Sequence, residues 1–241
     1  MISVCMTTYN GALFIQEQVK SILSQLCDDD EIIISDDGST DDTISIIESL
    51  NDKRIKIITH THKVNPFYPK STVATVTYNF ENALQKAKGD YIFLSDQDDI
   101  WYSNKVEMSL RYLLEYDLVL SNFSTIDENN NLIEEKYLKK CPFSKMNILN
   151  ILKPPFLGCC LAFNKKVLDR ALPIPECVCI HDLWIGLVSN KIGKIKYIDT
   201  PLIYHRFWSN NTSNYGKKSP NTFLMKLKYR FWNYYQLLKI K

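Results

Sequence analysis

An α/β protein with a mostly parallel central sheet and helices on both of its faces is the architecture these 241 residues specify. Two observations carry that reading. Short apolar runs (ISVCM, EIIIS, RIKII, YIFL) alternate with longer segments whose apolar residues recur at helical spacing. Strands separated by helices pair in parallel, and both faces of such a sheet are covered. Three of the runs also end in polar clusters, TTYNG, SDDGS and SDQDD, and open α/β sheets bind ligands beyond the carboxyl ends of their strands. With 45% hydrophobic residues the chain can bury a substantial core. No internal repeat or low-complexity linker divides it. One compact body over 1–216 is expected, with halves 1–120 and 121–216, followed by a basic, aromatic helical tail over 217–241.

The elements follow in order. ISVCM at 2–6 is a buried strand closed by TTYNG, and Ile15, Val19, Ile22, Leu23 and Leu26 then mark a helix. EIIIS at 31–35 is the second strand and DDGS its turn. Ser39 with Asp42 resembles a capping box for a helix with Ile44, Ile47 and Leu50 on its apolar face. RIKII at 54–58 is the third strand. After Pro66 and Pro69, TYNFENALQKAKG reads as a helix stopped by Gly89, and YIFL at 91–94 is the fourth strand. Further on, LVLSN is a strand, DENNN a turn, HDLWIGLVSNKIG a helix ending at Gly193, and IKYI and LIYHR two short strands.

Charge and cysteine usage exclude several classes. A net charge of +2 argues against bulk capture of nucleic acid. The total hides an asymmetry: 217–241 holds seven basic residues and no acid, leaving 1–216 at −5. Seven cysteines form no even framework, and CVCIH lacks a second ligand pair at zinc spacing, so reduced thiols in a cytoplasmic protein are expected. ISVCM is too short for a signal peptide, and no stretch approaches the ~20 apolar residues of a membrane span.

The residues YIFLSDQDDIW concentrate the chemistry. Asp96, Asp98 and Asp99 stand where a buried strand ends, although neighbouring carboxylates disfavour each other's charge. Asp99 alone is accounted for if it complements the dipole of a helix running from Asn104. The other two suit a hard cation, Mg²⁺ or Mn²⁺, completed by substrate phosphates. A DxD spacing lets one acid meet the metal while the other reaches a ribose hydroxyl.

SVCMTTYNG, IIISDDGSTDDT, GDYIFLSDQDDIW with Lys105, and HDLWIG together resemble family 2 glycosyltransferases of the GT-A fold, in the family's order and over about residues 2–212. The DQDDIW form is most similar to a rhamnosyltransferase-like branch of bacterial surface-polysaccharide synthesis. The resemblance implies a metal-dependent, inverting transfer from a nucleotide-diphosphate sugar to a glycan or lipid-linked acceptor. It implies that Thr7 and Tyr9 line the nucleotide pocket, Asp37 bonds the base, Asp96 lies near ribose and diphosphate, Asp98 ligates the metal, and Asp182 is the base. Asp36 is expected to brace its turn. Read without the resemblance, Asp182 at the start of an apolar helix is as well explained as an N-cap. The family often has YRxH where this chain reads LIYHRFW. Phe207 then falls at the histidine's place, and His205, on the same strand face, either substitutes as a metal ligand or is a solvated strand histidine. Arg206 is a second candidate for the diphosphate.

Within the transferase reading, rhamnose from a dTDP donor and a UDP-hexose (galactosyl or glucosyl) donor both stay open, and two other classes compete. A sugar-1-phosphate nucleotidyltransferase also uses acidic metal ligands, but TTYNGALF lacks its glycine-rich, basic loop. A glycan-binding descendant of the fold would not need Asp37, Asp96, Asp98 and Asp182 together. In the tail, Phe223, Leu227, Phe231, Tyr234 or Tyr235, and Leu238 share a helical face, with Lys226, Lys228, Arg230, Lys239 and Lys241 supplying charge. That pattern fits either an interfacial helix on anionic lipid at the inner face of the plasma membrane or a terminal helix packing its apolar face on the domain.

Overall fold

The computed structural model describes residues 1–61, 63–208 and 222–240. Parallel strands β1 (Ile2–Thr8), β2 (Glu31–Asp36), β3 (Ile55–Thr59) and β4 (Tyr91–Ser95) are joined by α1 (Ile15–Leu23), α2 (Thr43–Ser49) and α3 (Thr72–Leu84). The second half supplies β5 (Ile100–Trp101), α4 (Lys105–Leu113), β6 (Leu118–Ile126), β7 (Leu132–Glu134), α5 (Asn147–Leu152), a 3-10 turn at Gly158–Cys160, β8 (Leu161–Asn164), α6 (Lys165–Ala171), α7 (His181–Ile192), β9 (Ile195–Arg206) and α8 (Phe223–Lys239). All strands join one sheet in the order β3-β2-β1-β4-β8-β6-β9-β5, with β7 beside β6. The parallel ladders run for five to eight residue pairs. The antiparallel ones last only two or three. Every residue of β1, β2 and β6 is buried, as strands covered on both faces must be.

Several local expectations are corrected. Ser39 and Asp42 form no capping box: the Ser39 hydroxyl is held by Asp36, and Asp41 accepts the Thr43 amide at the start of α2. The third helix begins earlier, where Ser71 caps the Ala74 amide, and ends at Leu84 rather than at Gly89. Gly89 serves a different need. A Cβ there would lie 2.6 Å from the Ser3 backbone nitrogen, so only glycine lets the chain press against β1. At Gly193 the obstacle is the Asp117 carboxylate, 2.0 Å from the place of a Cβ. IKYI and LIYHR are one strand, β9, whose register against β6 shifts near Pro201. That strand carries His205 and Arg206 from the sheet interior to the mouth of the acid loop. No described helix is long and apolar enough to cross a membrane.

Candidate functional site

The loops after β1, β2 and β4 meet α3 and the end of β9 around a cleft of about 400 Å³. Thr7, Thr8, Tyr9 and Asn10 form one wall and Thr72, Thr75, Val76 and Asn79 of α3 another, with Asp37, Asp96, Gln97, Asp98, His205 and Trp208 completing it. Backbone conformation and side-chain bonds hold the loops together. Asn10 adopts the left-handed region (φ 47°), with its side-chain oxygen accepting the Thr40 amide at 2.8 Å. Asp36 braces the second loop by accepting the Gly38 and Ser39 amides at 3.0 and 2.9 Å. Beside it, Asp37 faces the cleft and its carboxylate lies 2.7 Å from His60 Nδ1.

The acid loop is electrostatically loaded. Burial, then the charges of Asp99 and Asp98, raise the Asp96 carboxyl to about 8. Burial and Asp99 raise Asp98 to about 6, against a stabilising 2.7 Å hydrogen bond from Trp208 Nε1. Carboxyls that resist ionisation this strongly, side by side in a cleft, match the charge of a divalent cation.

Asp99 has a partner of its own. Its Oδ1 lies 2.8 Å from His205 Nδ1 in a fully buried pair. Burial alone would raise the Asp99 carboxyl, but the His205 charge and hydrogen bond outweigh it and hold the group low. Burial would likewise lower His205, and the surrounding carboxylates, Asp99 foremost, instead raise it to about 9. His205 is therefore not a solvated strand histidine, being only 2% exposed. The ligand atoms of Asp99, Cys159 and His205 lie within 4.8 Å of one another.

Arg206 is not among the cleft residues. Its guanidinium turns inward, with Nε donating to the Asp98 carbonyl at 2.9 Å, NH1 to Asn130 and the Asp127 carbonyl, and NH2 to Glu17 at 3.2 Å, all over the face of Phe14. It clamps the acid loop from behind. Asp182 stands apart from the cleft lining in the first turn of α7, where Ile180 rather than Asp182 is the N-cap. Its carboxylate accepts the Gly158 amide at 3.2 Å, and burial raises it to about 6 despite that bond. His181 stacks on Phe80 and burial lowers it to about 3, so the ring is neutral at pH 7. Cys177 and Cys179 do not converge on it: the Cys177 sulfur accepts from Gln236.

Sequence reasoning missed Gln97. Its Oε1 accepts from Thr8 Oγ1 at 2.6 Å and the Tyr9 amide at 2.9 Å, and its Nε2 donates to the Tyr9 carbonyl at 3.1 Å. The residue thus clips the acid loop to the loop after β1. A signal existed in Gly11, since a Cβ there would lie 2.4 Å from Gln97 Oε1. Trp208 and the α3 wall left no comparable trace in the sequence.

The family model described as glycosyl transferase family 2 matches residues 3–172. The chain belongs to glycosyltransferase family 2. Among its relatives in that family, the dTDP-rhamnosyl transferase RfbG of Shigella flexneri is 39% identical over 86% of this chain and 72% of that protein. The UDP-Glc:α-D-GlcNAc-diphosphoundecaprenol β-1,3-glucosyltransferase WfgD of Escherichia coli is 30% identical over 81% and 73%. An uncharacterized glycosyltransferase of Rickettsia felis, 28% identical, matches 88% of this chain, which spans only 35% of that longer protein. In fold, this family 2 chain superposes on S. aureus TarS 1-349, solved with UDP-GlcNAc, with a TM-score of 0.70 at 19% identity, covering 96% of this chain and 66% of that one. The GT-A architecture is therefore shared.

Proposed function

We propose that this glycosyltransferase moves a sugar, rhamnose from a dTDP donor, onto a glycan or lipid-linked acceptor in surface-polysaccharide synthesis, with inversion and with Mg²⁺ or Mn²⁺. The observation that carries the reading is the cleft itself, where Thr7, Tyr9, Asp37, Asp96, Asp98 and His205 converge. The relation to RfbG supports the choice of sugar. Residues 1–120 supply the donor side and 121–216 the acceptor side, with the chain working at the cytoplasmic face of the membrane.

In this reading Thr7 and Tyr9 flank the nucleoside and Asp37, oriented by His60, accepts from the base. Asp96 reaches the ribose and diphosphate. Asp98 and His205 would hold the cation. With His205 Nδ1 given to Asp99, Nε2 would be the ligating atom once its proton has left, and a carboxylate behind a ligating histidine fixes its orientation. When bound, the cation neutralises charge on the departing diphosphate. Arg206 is withdrawn from the diphosphate role and positions the acid loop instead. Asp182 removes the proton of the acceptor hydroxyl as that oxygen attacks the anomeric carbon, for which a carboxylate with raised proton affinity is well matched.

Incubation with a panel of nucleotide sugars tests the proposal. We expect metal-dependent release of nucleoside diphosphate, fastest from dTDP-rhamnose, abolished by chelator and by Asp98→Ala with circular dichroism unchanged. Preference for UDP-glucose moves the donor assignment to the hexoses. Full activity of Asp98→Ala, or pyrophosphate release from a nucleoside triphosphate, overturns it.

A further inference from the structure

The helix α8 docks on the body by the face that the sequence pattern did not select. Tyr229, Asn233 and Leu237 are buried, Lys191 Nζ donates to the Leu237 carbonyl at 2.8 Å, and Gln236 reaches Cys177. The expected apolar face is left outward. At about 100° per residue, Phe223, Tyr234, Leu227, Leu238, Phe231, Leu224 and Tyr235 fall within an arc of about 120°. All seven are exposed, Phe223, Leu224 and Leu238 by 71%, 76% and 61%. Lys228 and Lys239 lie along one margin of this stripe and Arg230 along the other.

A second element extends the surface. Arg230 donates to the Leu152 carbonyl at 2.8 Å, which sets α5 beside α8. Met146, Ile148, Leu149 and Leu152 on and next to α5 are exposed, and exposed Lys145 and Lys153 bracket them. Neither 144–154, which spans α5, nor 222–240 contains an acid, while they hold two and four basic residues; the rest of the chain is at −4. The apolar stripe and these six basic residues therefore share two adjoining helices that carry no acid. Water-facing helices do not need seven large apolar residues in one stripe, and a purely electrostatic partner would not use them.

We propose that α5 and α8 together form a face that seats in the interfacial layer of an anionic lipid bilayer. An apolar stripe with basic margins sinks its side chains among the acyl-chain ends while lysine and arginine remain at the headgroups. The docking also sets where the cleft goes. Lys228 Nζ donates to the Phe67 carbonyl at 2.7 Å, and Phe67 packs edge-on against Trp232. The segment they hold leads directly into α3, whose Thr72, Thr75 and Val76 line the cleft. The α3 rim is thus tied to the lipid-facing helix. The inference deepens the transferase reading and rests on it, because it holds the donor cleft at the surface where a lipid-linked acceptor would lie.

Flotation of the full chain with phosphatidylcholine vesicles, with and without phosphatidylglycerol, tests it. Binding is expected only with phosphatidylglycerol and is expected to weaken with salt. Leu227→Gln/Phe231→Gln/Leu238→Gln should weaken it by about tenfold or more, Ile148→Gln/Leu152→Gln by less, and Lys226→Gln and Lys239→Gln by about fivefold each. These positions, exposed except for the half-buried Lys226, leave melting and donor hydrolysis in solution unchanged, so failure of the transferase reading would register separately in that hydrolysis. Absence of vesicle binding, or equal binding by parent and triple variant, overturns the proposal. So does sedimentation showing a dimer that the triple variant dissolves, with no vesicle binding, since the face would then join two copies of the chain.

Discussion

Asp182 accepts the Gly158 amide in surroundings that raise its carboxyl to about 6, and two separable consequences follow. Asp182→Asn keeps the shape and loses the basicity, so transfer should fall by about 10²–10⁴-fold while donor binding, measured by titration calorimetry, persists. The parent's kcat/KM should rise with pH through an apparent pKa near 6. Stability moves oppositely. A carboxyl raised from 3.8 binds its proton more tightly in the folded chain, so stability declines as pH climbs from about 4 to about 6. Asp182→Asn is relieved of that cost but turns its NH₂ toward the Leu183 or the Gly158 amide, so the two effects oppose and it should melt close to the parent at pH 7.5. Unfolding of the variant, or undiminished transfer, would return Asp182 to a structural role. Gln97 makes a different kind of prediction. Gln97→Ala should raise the donor KM about tenfold with a smaller change in kcat, since three hydrogen bonds to Thr8 and Tyr9 go. Gly11→Ala, which displaces the same amide group, should act alike, and the double variant should lose less than the sum.

Elements whose periodicity reflects burial were legible, and those shaped by distant partners were not. The strands β1 to β4 could be placed because each is a short apolar run wholly or partly enclosed by helices. The capping box at Ser39 was misread because the hydroxyl has a better acceptor in Asp36, which local pattern cannot weigh. The α8 stripe was found correctly but its partner was not, since Tyr229, Asn233 and Leu237 meet their surroundings only after the chain has folded back. The acid loop announced itself by its charge. His205 and Arg206 divided their roles by direction along β9, one facing the cleft and one turned behind the loop, and sequence order alone is silent on direction. Lys105, quoted with the acid motif, lies buried away from the cleft with Nζ on the Cys159 carbonyl and over the Trp101 ring. Glycine needs are testable at this scale. Gly89→Ala should destabilise by about 1–3 kcal/mol in urea titration, because the added methyl meets backbone that cannot turn aside. Stability within a few tenths of the parent's would show that the β1 contact yields.

Across the whole molecule, the acid loop is finished by a strand that comes much later in the chain. Asp99 meets His205 106 positions away, and Glu17 meets Arg206 189 positions away. The loop therefore lacks its closest counter-charges until β9 is in place. Chains are made from the amino terminus, and contacts between remote segments form slowly. During synthesis, β1 to β4 can assemble while three carboxylates at their edge still face water and repel one another. Pulse-labelled hydrogen exchange during refolding should thus show amides of β1, β2 and β4 protected before those of residues 96–99, with β9 and the acid loop gaining protection in one step. A chain that ends before His205 therefore carries an acid loop without its buried histidine, and should bind Mn²⁺ more weakly than the full chain in titration calorimetry.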